Sequence, residues 1–462
     1  MHFKKNSLLI LICLLFSFQN SAAVHTGQIS EKYWKAGVSR AVITPEESLW
    51  MAGYAARNHT SEGVLHDLWT KVLAIEDANG NKAVLITNDL VAIPKIYSDR
   101  IRDRLEKEYQ LKRSQIILNC SHTHSGPVLY DALRNLYPLD DIQTRKIIAY
   151  SDKLVNTIVE LTGKALNSMV PSQIYAGNGI TRFQVNRRNN QEALSTKITD
   201  LNGPNDYAVP VLKVVAKTGE LLAVAFGYAC HATVLDIYQF SGDYPGFAQI
   251  EVEKLHPGTT AMFFQGTGAD QNPLPRRTVP LAQQYGRTLA AAVDRVLNEK
   301  MKKLEPVLAT AYSEIDLQFA GPPPTRQDLL NHISDTSKTP DYLKQTAKTL
   351  LGRLDRGEIF EKSYPYPCQV WKMGDQAIMA LGGETVTEYS LELKKLFGHD
   401  IFVLGYNNDV MAYIPSETIL KEGGYEGTRS TFFTTPWKMN IQSMIISEMV
   451  KLAQKTGISQ VK

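Results

Sequence analysis

The sequence contains few cysteines, little net charge and, after its first residues, no long apolar run. Only 4 of its 462 residues are Cys. Three of them, Cys120, Cys230 and Cys368, lie beyond the N-terminal region and are too few for the disulfide framework of a small secreted domain. The formal net charge of +3 gives no sign of a nucleic-acid surface or a polybasic membrane anchor. No later segment reaches the ~18 apolar residues of a membrane-spanning helix.

The N-terminus has the pattern of a secretory signal peptide. Lys4 and Lys5 precede an apolar run over residues 8–16, and small residues at 21–23 offer a cleavage point. We therefore predict that residues 1–23 are a signal peptide and that the protein is secreted. Loss of these two lysines and no acid would lower the formal net charge from +3 to +1. Export without disulfides favours a bacterial periplasm.

The rest of the chain, residues 24–462, alternates short apolar runs with stretches of 3.6-residue periodicity. This alternation predicts an α/β fold, with mixed central β-sheets flanked by helices. No linker or internal repeat divides it, so we expect a single domain. Strands are predicted at 82–87, 115–118, 222–228, 261–264, 377–381 and 401–405, and helices at 97–109, 141–168, 281–302, 385–396 and 435–455.

One segment, residues 321–361, differs in composition from its surroundings. It begins with three consecutive prolines after Gly321 and continues as two charged segments. We predict a helical surface insertion, which either lines the functional site or is simply a solvated helical pair.

Polar residues follow five of the predicted strands at the point where each strand ends. They include His122 and His124, then His231, and further along Glu384 and Asp409. In open α/β sheets, sites form outside the carboxyl ends of the strands. These strand ends therefore predict one convergent pocket.

The sequence SHTHSGP places His122 and His124 two residues apart. In an extended segment such residues point to the same side, so both imidazoles would face one site. The pair alone fits a metal site, an acid–base pair or two polar loop residues. There is no HExxH, which excludes the helical zinc motif.

His231 and Glu384 are each ambiguous when taken singly. A lone histidine is often bonded to backbone in a core. Glu384 follows two glycines at the predicted start of a helix, a position that the helix dipole favours for an acid. Together, two histidines and one carboxylate at strand ends form a set that catalytic zinc accepts, with an open position for water.

Several stretches resemble the catalytic domain of the neutral, non-lysosomal ceramidases. They cover about residues 35–430 in the same order. They are AGVSRAVITP (36–45), MAGYA (51–55), SHTHSGP (121–127), NRR (186–188), ACHAT (229–233), GDYPG (242–246), GGE (382–384), AYIP (412–415) and GGYEG (423–427).

The resemblance implies a zinc ion held by two His, one Glu and one Tyr. By motif, these ligands are His122, His231, Glu384 and Tyr413. It further implies a hydrolase that uses metal-bound water to cleave an amide, as in an N-acyl lipid. The same ligand types also suit Mn²⁺ or Fe²⁺.

Three further residues match site positions of that family. His124 would contact substrate or support the ligands, Arg187 would lie near the substrate's polar group, and Tyr425 would be a site tyrosine. His124 and Arg187 can both donate hydrogen bonds to developing negative charge.

The chain departs from the ceramidase pattern at the block that carries a serine needed for activity. Asn272 stands where that serine would be, and an amide donates a hydrogen bond but is not a nucleophile. Arg276 and Arg277 follow; they would meet an anionic substrate or form a solvated surface pair. No residues remain for the C-terminal β-domain of ceramidases, which we expect to be absent.

Three functions remain open from the sequence. The first is a secreted zinc amidohydrolase acting on N-acyl lipids or related amides. The second is a metal-dependent hydrolase or lyase acting on a polar, carbohydrate-type substrate, and the third is a non-catalytic binding protein. In all three, the expected partner is a small molecule, a lipid or a glycan rather than a nucleic acid.

Overall fold

The computed structural model describes residues 32–132, 134–335, 341–429 and 435–461. The predicted signal peptide, residues 1–23, lies outside the described residues. Residues from Tyr33 onward cluster as one compact unit. No helix in the described ranges combines the length and the apolar character needed to cross a bilayer.

Two mixed sheets and several two-stranded ribbons make up the β-structure of the described ranges. The strands are β1 (Trp34–Val42), β2 (Gly63–Val64), β3 (Trp69–Glu76), β4 (Lys82–Asn88), β5 (Ile116–Cys120), β6 (Val170–Ile180), β7 (Gln184–Asn186), β8 (Ala208–Ala216), β9 (Leu221–Tyr228), β10 (Gln239–Phe240), β11 (Thr260–Gln265), β12 (Gln271–Pro273), β13 (Lys302–Leu304), β14 (Leu308–Gln318), β15 (Ser363–Met373), β16 (Gln376–Leu381), β17 (Glu384–Thr385), β18 (Phe402–Leu404) and β19 (Tyr413–Ile414).

The α-helices pack on the outer faces of the two main sheets. They are α1 (Lys95–Tyr109), α2 (Asp141–Asn167), α3 (Asp243–Leu255), α4 (Val279–Asn298), α5 (Arg326–Ser334), α6 (Asp341–Asp355), α7 (Thr387–Phe397), α8 (Glu417–Glu422) and α9 (Ile441–Lys455). Side chains cap several of them; Asp140, for example, accepts a hydrogen bond from the backbone N of Gln143 at the start of α2.

The larger sheet has the strand order β11-β9-β8-β6-β1-β3-β4-β5, with β13 also paired to β6. Its β4–β5 and β9–β11 pairs are parallel and its other pairs are antiparallel. The second sheet has the order β14-β15-β16-β18. The two sheets face each other across a shared apolar core that contains Phe264 of the first and Trp371 of the second. The result is an α/β/β/α sandwich, which confirms the predicted fold class.

The predicted strands all exist, because each is an apolar run buried on both faces. β5, for example, is buried at every residue, as expected for a strand covered on one side by helices and on the other by a second sheet. Cys120, Cys230 and Cys368 are all buried and free. The core therefore rests on burial rather than on cross-links.

Three predicted helix boundaries are wrong, and tertiary pairing explains each. The helix predicted to reach residue 302 ends at Asn298, because 302–304 pair with β6. The helix predicted from 385 begins at Thr387, because Thr385 belongs to β17. The helix predicted from 435 begins at Ile441, because Trp437 forms a bridge with Phe319 at the end of β14. Strand pairing with distant segments overrides local periodicity at all three places.

The segment 321–361 forms the predicted helical pair, α5 and α6. A capping box between Thr325 and Asp328 starts α5. Helix α6 lies against the turn at 134–136, where Thr349 Oγ1 donates to Asn135 Oδ1 at 3.1 Å. The pair is therefore docked on the domain.

A hydrogen-bonded junction joins the carboxyl ends of β5 and β11 to β18 of the other sheet. Asn119 of β5 is fully buried. Its Nδ2 donates to the carbonyl of Gly405 at 2.9 Å, and its Oδ1 accepts from the backbone N of Gln265 at 2.9 Å. Asn408 N also donates to the carbonyl of Leu118 at 2.7 Å. One amide side chain thus links strands from both sheets beside the predicted site.

We expect the substitution Asn119→Ala to reduce the free energy of unfolding by about 1–3 kcal/mol, the cost of one unsatisfied buried group. It leaves the buried Gln265 N–H without its side-chain acceptor, whereas the Gly405 carbonyl keeps the hydrogen bond that Asn407 Nδ2 donates at 2.8 Å. Urea unfolding monitored by circular dichroism measures the change. Asn298→Ala, which removes an exposed Asn on α4, is the matched control, and equal stability of the two variants would contradict a structural role for the junction.

Candidate metal centre and substrate cleft

His122 and His124 leave strand β5 in a sharply turned loop rather than an extended one. His122 has a φ of 59°, in the left-handed region that few non-glycine residues occupy. The backbone N of His122 donates to Leu90 O at 2.9 Å, and that of His124 donates to Ala232 O at 3.2 Å. The two rings do face one site, with Nε2 atoms 3.1 Å apart. The predicted convergence is therefore correct, although the extended geometry invoked for it is wrong.

The loop after β9 brings His231 to the same place. Its backbone N donates to Gln271 O at 3.1 Å, and its side chain is buried. The ring centroid of His231 lies 4.8 Å from that of His122. His122, His124 and His231 together form a group whose ligand atoms all lie within 4.8 Å of one another.

Glu384 and Tyr413 are paired with each other by the backbone. They are directly opposed in the short parallel ribbon β17–β19. Glu384 therefore lies in a strand, and the prediction that it begins a helix is wrong. Gly383 has a φ of 67°, and a Cβ there would lie 2.5 Å from Ile414 and 2.9 Å from the Ala412 carbonyl oxygen. A glycine is therefore required before Glu384.

Carbonyl oxygens orient two of the histidine side chains so that Nε2 faces this site. Nδ1 of His122 lies 2.7 Å from Val91 O, and Nδ1 of His231 lies 2.9 Å from Gly268 O. Each Nδ1 therefore donates to a carbonyl, and in the neutral imidazole Nε2 then carries the lone pair. Glu384 Oε2 is 3.2 Å from Nε2 of His122 and 3.4 Å from Nε2 of His231. Three electron-pair donors in mutual contact repel one another unless a cation lies between them, so this set fits a metal ion.

The ionisation of these groups favours the same conclusion. Burial lowers the pKa of His231 to about 4 and that of His124 well below its usual range, so both rings are neutral near pH 7. Burial disfavours the charged form of Glu384, but His122 and His231 outweigh it and hold the pKa of Glu384 well below its usual value. Neutral imidazole and ionised carboxylate are the forms that bind metals.

His124 differs from the other two histidines in its hydrogen bonding. Its Nδ1 is buried and has no hydrogen-bond partner among the described residues, whereas the Nδ1 atoms of His122 and His231 are both held by carbonyls. Metal-ligating histidines normally have such a partner. Tyr54 instead packs edge-on against His124, with ring centroids 4.8 Å apart.

Tyr413 and Arg187 complete the inner end of the site. The Tyr413 hydroxyl lies 3.3 Å from Nε2 of His231 and accepts a hydrogen bond from Nη2 of Arg187 at 3.0 Å. Nε of Arg187 donates to Glu426 Oε1 at 2.8 Å, and Arg188 donates to Glu426 Oε2 at 2.7 Å. Burial opposes the charge of Arg187, but Tyr413 and Glu426 raise its pKa well above the usual value. Arg187 is thus a fixed cation beside the convergent donors.

Asn272 and Tyr425 line the cleft next to this group. Asn272 lies in β12, opposite Val185 of β7, and its Oδ1 is 3.5 Å from Nη1 of Arg187. Tyr425 is 56% exposed and packs edge-on against Tyr413, with ring centroids 5.4 Å apart. All eight predicted site residues therefore come together.

The site opens into a cleft with a volume of about 720 Å³. Its described lining contains four arginines, three glutamates and three tyrosines, with no Val, Leu, Ile, Met or Phe. None of these lining residues comes from α5 or α6.

Two kinds of residue singled out by the sequence lie outside the ligand group. Asp409 is buried and accepts a hydrogen bond from Tyr364 at 2.6 Å, so its carboxylate serves the core, although Tyr406 of the same strand end contacts His122. Arg276 and Arg277 both line the cleft, and Arg276 is bonded to Glu192.

Sequence reasoning missed Glu426. It lies directly after Tyr425 in the GGYEG motif, and its position there was the available signal. Tyr406 is the first polar residue after the strand predicted at 401–405, so it belongs to the strand ends that predict the pocket. It is fully buried, has a φ of 57° and packs against His122 with ring centroids 4.4 Å apart.

Two named relatives from Dictyostelium discoideum match part of the chain. Neutral ceramidase B is 26% identical over 245 residues, which are 49% of this chain and 33% of that protein. Neutral ceramidase A is 23% identical over 273 residues, which are 56% of this chain and 37% of that protein. The matched regions span little more than a third of the length of these relatives.

Two solved structures share the fold. The crystal structure of neutral ceramidase from Pseudomonas aeruginosa superposes with a TM-score of 0.70 at 19% identity, covering 94% of this chain and 76% of that one. A ceramidase complexed with C2 gives a TM-score of 0.71 at 18% identity, covering 94% and 77%. The sandwich and its strand order thus have a known counterpart.

The family model described as neutral/alkaline non-lysosomal ceramidase, N-terminal, matches residues 34–272. This is just over half of the chain, and it includes the loops that carry His122, His124 and His231. Together with the shared fold, the match confirms the resemblance seen in the motifs. The chain belongs to the neutral/alkaline non-lysosomal ceramidase family.

Proposed function

We propose that the protein is a metal-dependent hydrolase that cleaves an amide bond. The observation that carries this proposal is the convergence of Glu384 Oε2 with the Nε2 atoms of His122 and His231, at 3.2 and 3.4 Å. Tyr413 is the fourth proposed ligand, since its hydroxyl lies 3.3 Å from Nε2 of His231. Two nitrogens and two oxygens suit Zn²⁺, and the same set accepts Mn²⁺ or Fe²⁺.

When bound, such a metal supplies a Lewis acid and lowers the pKa of coordinated water. The surrounding residues stabilise charge and exchange protons with the substrate. Arg187 is fixed by Glu426, so its guanidinium can stabilise negative charge on a carbonyl oxygen without first reorganising. His124 is buried and neutral, and its unpartnered Nδ1 is free to exchange a proton or hydrogen-bond to substrate.

Asn272 takes the role of a hydrogen-bond donor in this proposal. Its Oδ1 faces Arg187, which leaves Nδ2–H₂ as the group presented to substrate. An amide cannot attack a carbonyl carbon, so water is the nucleophile. Tyr425, exposed at the rim, offers a ring and a hydroxyl to the part of the substrate outside the reacting bond.

A polar substrate is the second candidate, and the composition of the cleft favours it. The lining described above is charged and aromatic, which suits a carbohydrate-type molecule better than a long acyl chain. Hydrolysis or elimination of such a molecule would use the same proposed metal ligands together with His124 and Arg187.

We further propose that the protein is exported, with residues 1–23 as its signal peptide and the bacterial periplasm as its compartment. The basic residues at 4 and 5 and the apolar run that follows them support this. Its partners are then small molecules, lipids or glycans met outside the cytoplasm.

The function is tested by hydrolysis assays on the purified, metal-loaded protein. We expect it to release free amine from at least one substrate in a panel that spans ceramides, short N-acyl lipids and N-acetylated polar amides. Because the ligand set requires its cation, a chelator should abolish this release and added Zn²⁺ should restore it. Absence of turnover across the whole panel, with metal content confirmed, would contradict amide hydrolysis.

Two alanine variants separate the proposed roles of the paired histidines. His122→Ala should lose both metal and activity, since it removes a donor whose Nδ1 is held for ligation. His124→Ala should lose activity while it keeps most of the metal, since its Nδ1 has no such support. Elemental analysis alongside turnover measures both effects, and equal metal loss in the two variants would overturn the division.

Substitutions at Asn272 test its role as a donor. Asn272→Asp keeps the size of the side chain but removes the N–H and adds a negative charge, so we expect kcat to fall about 100-fold or more, as for loss of an oxyanion donor. Asn272→Ser restores a hydroxyl donor and should retain more activity. Asn189→Asp, at an exposed position of the same cleft, is the control, and an equal loss there would indicate a general charge effect.

A further inference from the structure

The described lining of the cleft contains no large aliphatic side chain for an acyl chain to pack against. Burial of one CH₂ contributes about 0.8 kcal/mol only when the group leaves water for apolar surroundings, and the described lining provides no aliphatic side chain larger than Ala193. These residues instead offer a substrate hydrogen bonds, ion pairs and tyrosine rings.

Three of the four arginines in the lining already have firm partners. Arg187 and Arg188 share Glu426, whose side chain is only 3% exposed. Arg276 donates through both Nε and Nη2 to Glu192. Carboxylates of the wall hold these three side chains in place.

Arg277 is the fourth arginine, and its partnership is weaker. Its Nη1 lies 3.2 Å from Asp236 Oδ2, and the two side chains are 39% and 47% exposed. An exposed pair of this kind contributes about 0–1 kcal/mol. A guanidinium has five N–H donors, so a carboxylate that enters the cleft can bind Arg277 or displace Asp236 from it.

The backbone holds Arg277 in an unusual conformation that keeps it in the cleft. Its φ is 89°, a region that costs a non-glycine residue of the order of 1–3 kcal/mol and that persists where surrounding structure enforces it. Its N–H donates to Val234 O at 2.6 Å, three residues beyond His231. The loop that carries the metal-site histidine therefore also fixes Arg277.

A tyrosine connects Arg277 with the inner site. The guanidinium carbon of Arg277 lies 5.6 Å from the ring centroid of Tyr54, and the same ring packs edge-on against His124 at 4.8 Å between centroids. The Tyr54 hydroxyl donates to Leu235 O at 2.9 Å, which holds the ring in place. Gly53 allows this packing, since a Cβ there would lie 2.4 Å from the His124 ring.

From this arrangement we propose that Arg277 forms an anion subsite that binds a carboxylate of the substrate, one tyrosine ring away from His124. The proposal rests on the proposed amide hydrolysis and narrows its substrate class to an acidic, polar N-acyl compound. Both an N-acyl amino acid and an N-acetylated sugar acid have this chemistry. In either one the carboxylate binds Arg277 while the amide lies at the inner end of the cleft.

The test compares matched substrates that differ only in charge. One arm uses an N-acyl amino acid and its methyl ester, and the other uses an N-acetylated sugar acid and its methyl ester. In at least one arm the wild-type protein should show kcat/KM about 10-fold or more higher for the acid, as expected for one charge-assisted contact. The arm that shows the preference identifies the source of the carboxylate.

Three variants assign the preference to Arg277. Arg277→Ala should abolish it, mainly through a higher KM for the acid, with little change for the ester. Asp236→Asn removes the competing carboxylate and should lower KM for the acid, an opposite effect that a merely structural role would not produce. Arg100→Ala is the matched control, since Arg100 also pairs with a half-exposed Asp and packs over a tyrosine ring, outside the cleft lining.

The outcomes distinguish this proposal from the proposed function. Hydrolysis of acids and esters at equal rates would overturn the role of Arg277 and leave amide hydrolysis standing. If no amide is cleaved, amide hydrolysis fails, and calorimetric binding of the same acids and esters decides the subsite. Tighter binding of an acid, by about 10-fold and lost in Arg277→Ala, would then support the subsite, and equal binding would overturn it.

Discussion

The site depends on hydrogen bonds that tie the carboxyl ends of strands from two different sheets together. Asn119 bonds to Gly405 of one sheet and to Gln265 of the other, and both bonds are shielded from water. Backbone hydrogen bonds from Gly405 N to Gln265 O and from Asn408 N to Leu118 O join the same strand ends, so the loops after β5, β11 and β18 have a fixed relation. A buried amide suits the task because its donor and acceptor are both satisfied, and leaving either one unpaired is costly. Hydrogen bonds at the ends of these strands thus set the relative positions of the candidate metal-binding side chains.

The backbone also orients the charged and polar groups of the site. Backbone carbonyls of Val91 and Gly268 hold the Nδ1 atoms of two histidines and so direct their lone pairs toward Glu384. In a buried setting such an arrangement is unfavourable on its own and becomes favourable when a cation binds. Arg187 then adds a second positive charge on the substrate side, held by a buried carboxylate. In the proposed mechanism, metal ligation and stabilisation of developing charge therefore use different residues, each with its own fixed partners.

The composition of the cleft outside this site supports our proposal of a polar substrate. Membership of the ceramidase family and the shared sandwich establish the scaffold, but the described wall of the cleft is polar and rich in arginine. Asn272 stands where the family pattern predicts a serine, which is consistent with the same proposal.

Local sequence was sufficient for the α/β class, for the buried strands and for the residues with donor chemistry, because apolar runs and strand-end motifs are properties of neighbouring residues. It could not show that His122 adopts a left-handed conformation, that Glu384 pairs with Tyr413 in a ribbon, or that Trp437 pairs with Phe319 instead of starting a helix. Nor could it rank four arginines by the strength of their partners. These features arise from contacts between residues far apart in the chain, so only the folded arrangement decides them.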